Sequence, residues 1–162
     1  MDDQVDQLKL LLWDSLLTAE LNATYWDKMW KKYYRRMKMT DVFLAVCTSS
    51  TVASWTIWQT VDWLWKALSA LSTLVAIVVA TANWKKELGE MSVAKTKWSQ
   101  INLEYQEVWE DLKRGLQIDG LRSRYKTIRR KESGANDAEP PVELNVKLRN
   151  QSDHEVRVAR RL

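Results

Sequence analysis

Ala19, Ala23, Trp26, Trp30, Tyr33 and Met37 recur at spacings of 4, 3, 4, 3 and 4, which keeps them on one stripe of an α-helix. Leu8, Leu12 and Leu16 extend the stripe upstream, and the opposite side is polar. The stretch from Asp2 to about Met39 therefore predicts a long amphipathic helix that needs an apolar partner. A second pattern runs from Trp84 to Leu116, where Trp84, Leu88, Met91, Trp98, Tyr105, Trp109, Leu112 and Leu116 follow a heptad track. Lys95 and Asn102 interrupt it, with Ala94 and Ile101 beside them. Heptad spacing of this length reads as a coiled-coil seam, so the two stretches are expected to pack on each other.

Between these patterns the chain loses its charge. Asp41 and Asp62 enclose 20 uncharged residues, and Lys66 and Lys85 enclose 18. A bilayer core about 30 Å thick needs roughly 20 residues of helix at about 1.5 Å per residue, which predicts spans at about 42–61 and 67–84. The link from Val61 to Lys66 is too short for anything but a tight connection, so the spans form an antiparallel hairpin. Trp55, Trp58, Trp63, Trp65 and Trp84 lie within or beside the runs, where an indole buries its ring and keeps its N–H near headgroup water. Lys31, Lys32, Arg35, Arg36 and Lys38 precede the first run, and Lys85 and Lys86 follow the second. That excess places both termini in the cytoplasm. The acidic opening "MDDQVDQ" lacks the basic start of a signal peptide and is expected to remain.

The fold class predicted is an all-α inner-membrane protein: a two-helix transmembrane hairpin extended by two long amphipathic cytoplasmic helices, with a basic and partly extended C-terminal tail. Residues 1–120 hold the arms and hairpin, and residues 121–162 the tail. Trp26, Trp30, Trp98, Tyr105 and Trp109 are the expected aromatic anchors of the cytoplasmic stalk. A soluble protein with a buried hairpin is the alternative.

Hydroxyls are dense within the apolar runs. Cys47, Ser50, Thr51 and Ser54 share one face of the first run, and Ser69, Thr73, Ala76, Ala80 and Asn83 form a stripe in the second. Small residues let membrane helices approach closely, with Ser and Thr bonding across the contact or back to their own helix. The sharper reading has one stripe packing the hairpin and the other lining a pore, Asn83 being the most polar side chain in the second run. A hairpin alone encloses no aqueous path, so a pore requires a homo-oligomer, a tetramer or larger. No charged ring lies inside either run, which points to weak ion selectivity.

Composition narrows the chemistry. Cys47 and His154 are the single cysteine and single histidine, which excludes an intrachain disulfide, a His/Cys metal site and a His-assisted triad. The carboxylates show no arrangement with a nucleophile, metal pair or phosphate loop; neither a cofactor nor an enzyme is expected. The positive excess lies in the tail: residues 122–162 carry net +5 and residues 1–121 net −1. Arg122, Arg124, Lys126, Arg129, Arg130 and Lys131 cluster in a stretch, residues 122–131, that holds no acidic residue. They form a candidate site for anionic lipid headgroups or for the phosphates of a nucleotide or oligonucleotide, with Tyr125 offering a stacking surface. Residues 132–141, "ESGANDAEPP", read as a linker. Beyond it, Val142, Leu144, Val146 and Leu148, then Val156 and Val158, alternate with polar residues. That alternation predicts either a small β-hairpin around "NQSD" or, as the favoured reading, a disordered tail that adds a strand on a partner.

The order of amphipathic arm, membrane hairpin and amphipathic arm resembles the SLATT family, two-transmembrane effectors of prokaryotic nucleotide-signalled immunity. The resemblance covers about residues 5–118, including "YWDKMWKKYYRRMKMTDVFLAV" into the first span and "VVATANWKKELGEMSVAKTKW" out of the second. It implies an oligomeric pore that permeabilises the host membrane in anti-phage defence, an abortive infection triggered by the signal of a partner nucleotidyltransferase. The tail after Arg122 lies outside it. Two other readings are a helical scaffold, membrane-anchored or soluble, whose tail recruits a partner, and a holin-like lysis protein.

Overall fold

A computed structural model of the chain describes residues 2–49, 62–81 and 83–161. Among the described residues all regular structure is helical: α1 (Asp2–Thr48), α2 (Asp62–Thr81), α3 (Trp84–Lys113), α4 (Ile118–Asn136) and α5 (Val146–Arg160). The chain divides into two compact units, Met1–Trp30 with Gly89–Leu162, and Lys31–Leu88.

The first unit is built on the two heptad patterns. Its part of α1 buries Leu8, Leu12, Leu16, Ala19, Trp26 and Met29, and α3 buries Met91, Ala94, Trp98, Ile101, Tyr105, Val108 and Leu112. The α3 set alternates steps of three and four, the spacing of a seam facing a helical partner. Trp13 lies beside Trp109, with ring centroids 5.1 Å apart, and Lys95 reaches Asp27 at 2.6 Å. Low numbers on α1 thus meet high numbers on α3, and the two helices run antiparallel.

Glycine chemistry ends α3. Gly115 adopts φ +77°, Leu116 N–H donates to the Asp111 carbonyl at 3.2 Å, and Gly115 N–H donates to that of Leu112 at 3.1 Å. This is a Schellman closure, which needs a left-handed residue at that point. The chain then returns as α4, which buries Leu121, Ile128, Glu132 and Ala135.

The tail departs from the sequence expectation. Residues 146–160 are a helix, not a strand or a disordered segment, and α4 runs through the first half of the expected linker to Asn136. Asn145 accepts from Leu148 N–H at 3.1 Å and so caps α5, a role that favours helix initiation. Leu148, Ser152 and Val156 are four apart as well as an even number apart, so they satisfy a helical face and a strand face alike. Ser152, polar by type, is fully buried and donates to the Leu148 carbonyl of its own helix at 2.9 Å. Glu132 likewise enters the core because partners satisfy its carboxylate.

In the second unit α1 continues without a break through residues 39–42 to Thr48. Helix α2 exposes large apolar side chains, among them Trp63, Leu71, Leu74, Ile77 and Val78. Among the described residues no single helix is long and apolar enough to cross a membrane; α2 meets the length and composition only together with α3. Most of the first predicted span, residues 50–61, lies outside the described residues.

Candidate functional site

The basic stretch occupies α4, and the structure divides its side chains. Arg124 pairs with Asp111 and, at 3.3 Å, with Glu107 of α3. Lys131 reaches Glu104 at 2.5 Å. Both cations therefore neutralise the acidic stripe of α3, and the Lys131–Glu104 pair lines an open cleft of about 300 Å³ with Lys97, Gln100, Ile101 and Gly134. Arg129 is held at 2.6 Å by Glu132. Arg122, Lys126 and Arg130, spaced by four, occupy the flank away from α3 and make no ion pair among the described residues. At about 1.5 Å per residue they extend over roughly 12 Å of helix.

Tyr125 is half-buried and engaged with the bundle. Its hydroxyl lies 3.2 Å from Ser15 Oγ of α1, and its ring centroid is 6.1 Å from that of Tyr105. The residue belongs to the contact between α4 and the older pair of helices, because position 125 shares the inward face with 121, 128 and 132.

Under this stripe is a buried polar centre. Tyr105, fully buried on α3, donates its phenol to Glu132 at 2.8 Å, and Arg129 donates to the same carboxylate oxygen. Burial, followed by the hydrogen bond to Glu132, pushes the Tyr105 phenol well above its ordinary value. The proton stays on tyrosine, and Glu132 remains the acceptor.

The anchors Trp26 and Trp98 meet on a residue of the expected linker. Each donates its indole N–H at 2.9 Å to Oε1 of Glu139. Trp30 supports the Lys95 ammonium, 5.0 Å from its ring centroid, and Trp109 packs against Trp13 with the ring planes tilted by 40°. Sequence reading missed Glu132, Glu139, Ser15 and Tyr25. A signal for Glu139 existed in the tryptophans themselves, since a buried indole N–H requires an acceptor and the heptad track supplies none.

The small-residue stripe falls in the second unit and is only partly described. Cys47 is a half-buried free thiol. Ser50, Thr51 and Ser54 lie outside the described residues, and α2 contains Ala80 without a described side chain. Ser69, Thr73 and Ala76 are exposed on one arc of α2. Thr73 Oγ1 and Ser72 Oγ each donate at 2.9 Å to the Ser69 carbonyl, so these hydroxyls bond their own helix. Asn83 does not continue the stripe. It stands between α2 and α3 at φ +44°, where its carbonyl accepts from Lys86 N–H at 2.9 Å and Glu87 N–H at 3.2 Å. Asparagine tolerates this left-handed conformation better than most side chains, and its role is to start α3.

Among the described residues no group of His, Cys, Asp or Glu is arranged to hold a metal ion. No known protein family, curated protein or solved structure matches the chain.

Proposed function

We propose that the chain is a membrane-embedded effector that assembles from several copies into a pore and permeabilises the inner membrane on command. The observation that carries this reading is α2. Its bulky residues Trp63, Leu71, Leu74, Ile77 and Val78 occupy one exposed arc, and its small residues Ser69, Thr73 and Ala76 occupy another. An apolar helix exposed on both arcs in a single chain needs lipid, further copies, or both around it. Bulky side chains suit acyl chains, and small ones suit the close approach of a neighbouring helix. The SLATT-like layout supports the same assignment and supplies its setting, nucleotide-signalled anti-phage defence.

The signal in this reading carries phosphates, as a nucleotide or oligonucleotide does, and binds along Arg122, Lys126 and Arg130. These are the cations of the basic stretch that α3 and Glu132 do not engage. Such a signal opens the pore only by binding the open state more tightly than the closed one. Dye-loaded liposomes containing the full chain test the proposal: signal-dependent release is expected, and Leu74→Glu on the bulky arc abolishes it. A chain that stays in the aqueous fraction and never releases dye refutes the reading.

A further inference from the structure

We propose that residues 139–160 form a releasable strap, caught at Glu139, that clamps α1 to α3 near the points where both helices run on in the chain into the second unit. The strap is a property of the first unit; only its consequence, that release opens a pore, rests on the function proposed above.

The catch is a single atom. Oε1 of Glu139 accepts from Trp26 of α1 and Trp98 of α3, and both rings are buried, Trp98 completely. Withdrawing Glu139 orphans both indole donors at once, which is unfavourable in a dry interior. The catch therefore lets go of both helices together or of neither. Trp26 lies five positions before Lys31, and Trp98 ten positions after Leu88, the ends of the second unit. Pro140 and Pro141 follow Glu139 directly. Proline fixes its own φ and restricts the residue before it, so a stiff joint couples the catch to the segment behind it.

That segment is lightly attached. Helix α5 buries Ser152 and Val156, whereas α3 buries seven residues. Its ties to α1 include Asn145 N–H to the Tyr25 hydroxyl at 3.1 Å, Glu155 to Lys28 at 2.7 Å, Arg160 to Glu20 at 2.9 Å and the Arg160 guanidinium over the Trp13 ring, 5.9 Å from its centroid. Tyr25 and Lys28 Nζ are buried, whereas Glu155 is exposed, so water takes up the Glu155 end of its tie at small net cost. Val156 shares a cleft of about 200 Å³ with Leu17 and Leu21 of α1, so the strap covers a second apolar face of that helix. Helix α4, which carries Arg122, Lys126 and Arg130, ends three residues before the catch. A ligand that tilts α4 acts on Glu139 through the shortest stretch of chain.

Hydrogen exchange and dye release on the full chain in liposomes test the strap together. Glu139→Leu should raise exchange at least tenfold in residues 146–160 and also in residues 19–29 and 91–101, and should release dye without any signal. Glu139→Gln keeps an acceptor oxygen and should stay within about threefold of the parent. Arg160→Glu breaks the Glu20 pair and the contact with the Trp13 ring at the far end and should raise exchange in residues 146–160, with Glu20→Arg in the same chain restoring it in part. Faster exchange in Glu139→Leu confined to residues 146–160, or no rescue by the charge exchange, overturns the strap. If exchange responds as expected and no preparation ever releases dye, the strap stands and the pore reading falls.

Discussion

Trp26 and Trp98, 72 positions apart in the chain, donate to the same carboxylate oxygen of Glu139, each at 2.9 Å. One residue outside the heptad patterns thus satisfies the indoles of both. Leucine at 139 leaves two buried donors without an acceptor, at roughly 1–3 kcal/mol each, so Glu139→Leu should lower stability by about 2–6 kcal/mol. Glu139→Gln retains the acceptor and should cost about 1 kcal/mol or less. A thermal melt followed by circular dichroism in mild detergent checks both. Equal losses in the two variants would mean that the charge, and not the shared acceptor, matters.

The buried Tyr105 hydroxyl makes a separate prediction at alkaline pH. Its phenol is raised above the ordinary value of 10.0 in the folded chain. Below about pH 10 the group is protonated whether folded or unfolded, and it adds no pH dependence. Above that, the unfolded chain releases the proton first, so ionisation favours unfolding and stability falls as pH rises. Tyr105→Phe should be less stable at pH 8 by about 1–3 kcal/mol, because Glu132 loses a donor. It should also show a shallower decline between pH 10 and 11.5. Parallel melting curves with the same slope in both proteins would contradict the assignment.

The arms of the first unit could be read from spacing because their chemistry is repetitive. Steps of three and four from Met91 to Leu112 admit one helical face, and the structure buries it with Val108 in the inward place expected of Trp109 and with Leu116 left exposed. The tail hid its helix because its inward positions are Ser152 and Val156, one of them polar by type, on a register of four that a strand also satisfies. Glu132 looked like the start of a linker, and only the position of Tyr105 across the bundle makes a buried carboxylate tolerable there. The basic stretch was legible as charge but not as two populations. The division depends on the carboxylates of α3 that face Arg124 and Lys131, and no local pattern encodes that pairing.

Those two populations should separate in a binding experiment. Contact with three phosphates of a single-stranded oligonucleotide gives a slope of about −2 in log affinity against log salt, at roughly 0.7 per phosphate. Replacing Arg122, Lys126 and Arg130 together by Ala should remove that slope in fluorescence anisotropy on the detergent-solubilised chain. Arg124→Ala with Lys131→Ala should leave the slope unchanged and lower the melting temperature slightly, since exposed pairs contribute up to about 1 kcal/mol each. A slope that falls in the second variant and survives in the first would reverse the assignment.

Asn83 is a turn residue, so substitution there should be governed by backbone conformation. At φ +44° glycine is unstrained, whereas a β-branched side chain is opposed by about 1–2 kcal/mol. Asn83→Gly should keep the melting temperature and Asn83→Val should lower it. An equally tolerated valine would show that the left-handed geometry is not required.

The two arcs of α2 answer to opposite changes, and this difference separates lipid contact from assembly. Thr73 and Ala76 lie on the exposed small arc, Leu71 and Leu74 on the exposed bulky one. Close helix approach in a membrane depends on the absence of side-chain volume at the contact, so Ala76→Leu adds bulk where a neighbouring copy would sit. Chemical cross-linking of the membrane-inserted chain should then show the multimer reduced toward monomer, with insertion itself unaffected. Leu74→Ala removes bulk from the other arc, where acyl chains would fill the space in the proposed membrane setting, and should leave the multimer intact. Thr73→Val separates volume from hydrogen bonding: Thr73 already bonds its own helix at the Ser69 carbonyl, so losing its hydroxyl should matter little. A multimer that survives Ala76→Leu and dissolves with Leu74→Ala would place the neighbouring copy on the bulky arc and turn the small arc toward lipid or water.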